Sequence, residues 1–226
     1  MDTSGRTVAT IPLDGGHLAL DFVNTVGGLR DDPPSTEEEL FDSYEDVATW
    51  CARVGVISER QAGTLRAAAR RDEPAARRAL RAAIELRDDV LYPIFRALAD
   101  GDEPSGELLE RLRDEERKAL ADARLVRESG ARRTRELGAA FRWTWPPPRD
   151  LTDPLRPILH SALELLTAGP VERVKTCGNC RWLFLDQSRN RSRRWCSMDE
   201  CGIEMKHARF MERRRVSRPG SARSCS

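Results

Sequence analysis

A chain of 226 residues, 39% of them hydrophobic and 6% aromatic, can fill one or two ordinary cores. No run approaches the roughly 18 apolar residues of a membrane span, which excludes an integral membrane helix. The formal net charge of +1 conceals an asymmetry: from residue 173 onward there are 14 Lys and Arg against 5 Asp and Glu, leaving 24 against 32 before it. A basic C-terminal part after an acidic N-terminal one suggests different partners, with nucleic acid favoured for the basic end.

The first twelve residues contain no apolar stretch of signal-peptide length. The expectation is a soluble chain in the cytoplasm, where reduced thiols favour metal over disulfides. Arginine far outnumbers lysine, which occurs only at Lys118, Lys175 and Lys206. That bias hints at a GC-rich bacterial genome.

In chain order, Leu18–Asn24 is an apolar run with polar breaks between Gly15-Gly16 and Gly27-Gly28. It predicts a short strand or buried segment. Short polar residues beside glycine turns usually bond loop backbone, yet Asp21, Asn24 and Thr25 are also the candidate lining of a small-molecule effector site.

Helices are expected through the next hundred residues. Ser35 with Glu38 makes a capping box for a helix carrying Leu40, Tyr44, Val47, Ala48 and Cys51, stopped by Gly55. Cys51 reads as a small buried hydrophobe. Ser58 with Gln61 caps another helix, to about Arg71. A longer one is expected from Pro74 to Ala99, with Leu80, Ile84, Leu91, Ile94 and Leu98 as its stripe. Pro93 should kink or divide it, and Gly101 close it. A further helix covers about Ser105 to Ala121.

Arg124–Glu128 and Leu137–Trp145 then read as a hairpin. Phe141, Trp143 and Trp145 alternate with Arg142 and Thr144, a burial pattern that predicts packing against the helices. Pro146-Pro147-Pro148 forms a stiff connector. A helix from Asp153-Pro154 through Leu166 ends at Gly169-Pro170, which sets the boundary between residues 1–170 and 171–226.

Cys177, Cys180, Cys196 and Cys201 are spaced C-x2-C-x15-C-x4-C. Two close pairs separated by a hairpin-sized insert suit one tetrahedral zinc ion held by four thiolates. Such a site is closed to water, hence structural rather than catalytic, and His207 is left out. Cys177–Cys180 alone as a redox pair would leave the second pair unexplained. Residues 181–186 read as a strand, Gln187–Arg194 as a hairpin turn, and residues from about Asp199 to Arg215 as a helix with metal ligands at its start. Ile203 and Phe210 are expected to pack on Trp182 or Trp195. The overall expectation is an α+β, mainly α chain: a helical N-terminal domain with a small antiparallel sheet, then a treble-clef-like zinc module. Too small for a sizeable core, the module would draw much of its folding free energy from the metal.

The stretch from Cys177 to Arg215, including Phe184-Leu185-Asp186, Ser188-Arg189-Asn190, Arg194-Trp195-Cys196-Ser197-Met198 and Cys201-Gly202, resembles the CGNR zinc finger. The part before it resembles the ABATE domain in Leu20-Asp21-Phe22-Val23-Asn24-Thr25, the Trp50 helix and the Trp-containing strand before the prolines. The resemblance implies a bacterial stress-induced or signal-responsive transcription regulator with the finger as DNA binder. The chain departs from the family's Cys-Gly-Asn-Arg, placing Ile203-Glu204 after Cys201-Gly202. An anion there would repel phosphate.

The expected function is therefore zinc-dependent DNA binding. Arg189, Arg191, Arg193 and Arg194 would contact phosphates, and Lys206, Arg209 and Arg213, on one helix face, would approach the groove. The N-terminal domain would sense a signal or dimerise. A zinc-stapled protein-interaction module and a small-molecule binder are the alternatives. Only three histidines, no nucleophile motif and no glycine-rich phosphate loop argue against an enzyme.

Overall fold

The structure, a computed structural model, describes residues 6–26, 39–127 and 141–216. The expected capping box at Ser35 and Glu38, the residues Glu128 and 137–140 of the expected hairpin, and Cys225 lie outside the described residues. The chain is mainly helical, with two small antiparallel sheets and a C-terminal four-cysteine cluster.

The first element is the expected buried segment, but its strand alternative is corrected. Residues Leu18–Val23 form a helix, α1, not a strand. Ala19, Leu20, Phe22 and Val23 are all buried, so the run is apolar because α1 is surrounded, and periodicity alone does not separate a buried strand from a buried helix. The Asp21 carboxylate accepts the Gly15 amide at 2.8 Å. A side chain at Gly15 would meet Asp21 backbone nitrogen at 2.8 Å, so the approach requires glycine.

Helix α2 spans Tyr44–Arg53 and is capped by Ser43, whose amide donates to Asp46 at 2.8 Å. Gly55 follows it with φ of 77°. Trp50 and Phe41 close on Phe22, at ring separations of 5.5 and 6.0 Å, to make the centre of the helical core. Helix α3 covers Glu59–Arg71 and starts at the predicted Ser58–Gln61 box, with Ser58 amide to Gln61 at 2.7 Å.

The long helix is divided, as Pro93 requires. Helix α4 (Glu73–Glu85) passes into a wide π-helical turn, Leu86–Leu91, and then α5 (Tyr92–Asp100). Pro93 falls in the first turn of α5, directly after the π turn, whose widened backbone accommodates a residue without an amide donor. The extra residue of the π turn rotates the stripe, so Leu91 and Ile94 are buried while Leu80, Ile84 and Leu98 pack at the margin. It also turns Arg87 inward. This arginine, 1% exposed, bonds Thr25 carbonyl at 3.0 Å, both carboxylate oxygens of Glu39 and those of Asp88.

Helix α6 (Gly106–Leu120) packs on α7 (Leu155–Thr167). Between them in sequence, β1 (Arg124–Arg127) pairs antiparallel with β2 (Phe141–Thr144), Leu125 opposite Trp143. The expected burial of this hairpin is only partly met. Trp145 is half-buried and donates to Ala119 carbonyl at 2.8 Å, but Phe141 is 58% and Trp143 37% exposed. A two-stranded ribbon has no second layer to cover its outer end, so alternation of residue types here does not report burial. Trp143 and Trp145 bracket His160, which meets the buried Glu116 at 2.5 Å.

After a short turn at Val171–Arg173, strand β3 (Val174–Thr176) pairs antiparallel with β4 (Leu183–Leu185). Val174, Leu183 and Leu185 belong to the same apolar core as α1, α2, α5 and α7. A π-helical turn, Met198–Gly202, leads into α8 (Ile203–Val216). No helix among the described residues is long and apolar enough to cross a membrane.

Candidate metal centre

The first cysteine pair sits in the turn of the β3–β4 hairpin. This corrects the expected layout, in which Gln187–Arg194 was the hairpin turn. The reason is register: Thr176 pairs with Leu183, and the six residues between them are the knuckle itself. Cys177 amide donates to Trp182 carbonyl at 2.7 Å, and Arg181 amide to Cys177 carbonyl at 3.1 Å. Arg181 takes a φ of 62°, which closes the turn. Gly178 amide donates to Arg194 carbonyl at 3.1 Å, bringing the second half of the module against the first.

Cys196 ends the loop and Cys201 lies in the π-helical turn before α8. All four sulfur atoms lie within 4.8 Å of one another, and every one of the cysteines is at most 5% exposed. Cys180 and Cys196 sulfurs are 3.5 Å apart, and Cys196 and Cys201 3.8 Å. These separations are too long for disulfides, and the four thiols are free. They match the edge of a zinc–thiolate tetrahedron, about 3.8 Å for bonds of about 2.3 Å. Hydrogen bonding to Cys180 pulls the Cys177 thiol down, while bonding to Cys177 pushes Cys180 and Cys196 up. The Cys201 thiol is pulled down as well, so the four sulfurs compete for protons, and a bound divalent cation would displace them. Four soft donors in a closed tetrahedron are consistent with structural zinc. Cys51, by contrast, is alone in the helical core, and burial pushes its thiol up to about 12.

The loop from Gln187 to Arg194 is organised by a charge buried below it. Asp186 is fully buried and accepts from Lys175 Nζ at 2.6 Å, Ser188 amide at 2.9 Å and Arg193 amide at 3.1 Å. Lys175 also donates to Arg191 carbonyl at 2.5 Å. Burial opposes ionisation of Asp186, but the bonds from Lys175 and Ser188, with the lysine charge, outweigh it and hold the carboxyl below its usual range.

The candidate DNA-contacting residues divide accordingly. Arg189, Arg191 and Arg194 are exposed on the loop, and Lys206, Arg209 and Arg213 are exposed on α8. Arg191 reaches Glu172 at 3.2 Å, and Arg194 lies over the Trp195 ring at 5.6 Å. Arg193 departs from expectation. Its guanidinium turns inward, donating to the carbonyls of Trp195 (2.8 Å) and Cys196 and lying 4.9 Å over the Phe184 ring. Ile203 and Phe210 are 55% and 52% exposed and do not enter the small core around Trp182, contrary to the expected packing. That core is already filled by Ile11, Phe184 and the cysteines. Glu204 has an internal role: it accepts from Asn179 Nδ2 at 2.7 Å, tying α8 to the knuckle.

Asp21, Asn24 and Thr25, the expected lining of an effector site, are each bonded within the fold: Asp21 to Gly15 amide, Thr25 hydroxyl to Phe22 carbonyl at 2.7 Å, and Asn24 carboxamide to Leu183 backbone. A cleft of about 420 Å3 lies against Leu86, Val90, Arg111, Leu155, Arg156 and Leu159. Lys175 and Arg87 were missed by sequence reasoning. A lone basic residue in an amphipathic context reads as solvated surface, and only its carboxylate partners in the fold reveal otherwise.

The fold and site define a mainly helical protein with two small antiparallel sheets and a C-terminal four-cysteine cluster. Residues 16–169 match the ABATE family, described as "Putative stress-induced transcription regulator", and residues 173–214 match the CGNR zinc finger. The chain belongs to the ABATE family and carries a CGNR finger after that domain. A search of the curated proteins finds no match.

Proposed function

We propose that the chain is a zinc-dependent, DNA-binding transcription regulator of the cytoplasm that responds to stress or another signal, and that it is not an enzyme. In this reading residues 171–226 form the DNA-binding head and residues 1–170 the sensing or dimerising part. The observation that carries it is the closed nest of four thiols, within 4.8 Å of one another, beside six exposed cations on the loop and α8. Zinc would be held by Cys177, Cys180, Cys196 and Cys201 and would supply structure, not a reactive water. Its ligands fix where the loop and α8 begin, and so where Arg189, Arg191, Arg194, Lys206, Arg209 and Arg213 stand. Those groups suit phosphate contacts, which give affinity without sequence information.

The test is metal analysis of the purified full chain together with binding to genomic fragments at several salt concentrations. One zinc per chain, and binding that weakens steeply with salt and is lost on chelation, are expected. A metal-free chain, or no salt-dependent binding, overturns the proposal. A second reading, a protein-docking module, is favoured by the exposed apolar face of Leu125, Phe141 and Trp143. It predicts a stable protein partner with no DNA retention.

A further inference from the structure

We propose that Asn24 is a positioning residue that links the metal centre to the N-terminal helices, so that zinc binding and the state of α1 bias each other. The inference rests on the four thiolates taking zinc. Strand β4 has two edges. One faces β3: Cys177 amide donates to Trp182 carbonyl at 2.7 Å, and Asp186 amide to Arg173 carbonyl at 2.8 Å. The other edge meets no third strand among the described residues. N-terminal groups stand in for one. Asn24 Nδ2 donates to Leu183 carbonyl at 2.8 Å, and its Oδ1 accepts Leu183 amide at 3.0 Å. Gly15 carbonyl accepts Leu185 amide at 2.8 Å.

The path from α1 to the first ligand is short. Trp182, next to Leu183, donates its indole NH to Val26 carbonyl at 3.0 Å, and its own carbonyl receives the amide of Cys177. Two consecutive residues of the hairpin are thus gripped by the residues that end α1. The grip is dry, with Asn24 1%, Trp182 2% and Leu183 0% exposed. A second tie lies near Cys201, where Arg6 pairs with Glu200 at 2.6 Å and stands 5.8 Å over the Trp182 ring.

The chemistry selects asparagine. A carboxamide offers one donor and one acceptor in the fork of a backbone amide, and so completes both bonds of Leu183. Aspartate would set a second acceptor against Leu183 carbonyl, in a place water does not reach. Two sites joined through one packed element can share a coupling free energy, and any such coupling is reciprocal. Zinc should therefore order the end of α1, and anything that shifts α1 should change zinc affinity by the same factor.

The experiment uses the full chain and begins with zinc stoichiometry. Zinc affinity is then measured by competition with a chromophoric chelator, and hydrogen exchange is followed at the Asn24 and Thr25 amides, which bond Leu20 and Phe22 carbonyls. We expect one equivalent of zinc to slow exchange at both amides. Asn24→Asp should weaken zinc binding at least tenfold, while Leu65→Ala, a core change on the remote α3, should leave it unchanged. If the aspartate variant does not fold, the wild-type exchange comparison decides. One bound zinc with unaltered exchange, or wild-type affinity in Asn24→Asp, overturns the linkage and leaves the zinc reading intact. Equal loss in Leu65→Ala overturns the positioning role of Asn24, and absence of zinc overturns both readings.

Discussion

Lys175 and Asp186 form an ion pair under the arginine-rich loop, 2.6 Å apart, with the Asp186 side chain fully buried and the Lys175 side chain 31% exposed. The pair is why the loop has a shape. Lys175 also holds Arg191 carbonyl, and Asp186 also holds the Ser188 and Arg193 amides.

Lys175→Met should therefore leave a buried anion short of its cation. The expected loss is roughly 3 kcal/mol, the low end for breaking a buried pair because Lys175 is partly solvated. The sign with pH follows from the depressed Asp186 carboxyl. Its stabilisation is present above the unfolded value near 4 and is lost as pH falls through the lower folded value. Denaturant unfolding between pH 2 and 7 should show wild type losing stability on the acid side, and the Lys175→Met variant losing less. An equally steep acid limb in the variant would count against this account.

Asp21 behaves in the opposite sense. Burial pushes its carboxyl up to about 6, against the lowering effect of the Gly15 amide. Its folded value lies above the unfolded one, so its penalty is absent below about pH 4 and grows as pH rises to about 6. Asp21→Asn keeps an acceptor for Gly15 and removes the charge. It should stabilise the protein at pH 7 by on the order of 2 kcal/mol and have little effect at pH 4. Thermal midpoints of the two proteins across that range decide the matter.

Three arginines in the loop should fail in two different ways. Arg189→Ala with Arg194→Ala removes exposed charge, so DNA affinity should fall and its salt slope flatten by about 2. Arg193→Ala removes carbonyl bonds to Trp195 and Cys196. That variant should bind zinc less tightly and melt lower, by roughly 1 to 3 kcal/mol in stability. A flattened slope with unchanged stability in Arg193→Ala would show that its guanidinium faces the nucleic acid.

Glu204 offers a separate test of the departure from the family pattern. Glu204→Gln keeps an acceptor for Asn179 and should be nearly neutral in stability. Glu204→Arg breaks that contact and adds a cation beside the finger. It should cost about 1 kcal/mol while steepening the salt slope of DNA binding by up to about 1. Parallel titrations of the two variants separate the roles.

Several elements were legible in the sequence because their causes are local. Ser58 with Gln61 set a helix start, and Pro93 divided a helix, since capping and a missing amide act within one turn. The four cysteines declared themselves by spacing alone. The burial of Leu18–Val23 was legible but its helical form was not, because a run buried on all sides carries no period. Trp143 was misjudged because alternation records which side of a strand a residue occupies, not whether anything covers that side.

The sequence by itself determined which four cysteines cluster, most helix starts and the position of the basic end. Each depends on residues close along the chain, where geometry is fixed by covalent spacing. Only the tertiary structure decided that Arg193 faces inward while Arg194 does not, that Lys175 neutralises Asp186, and that Asn24 grips Leu183 across 159 positions. Those outcomes turn on which polar groups lose water together. Burial is a property of the assembled core, and no local pattern encodes it.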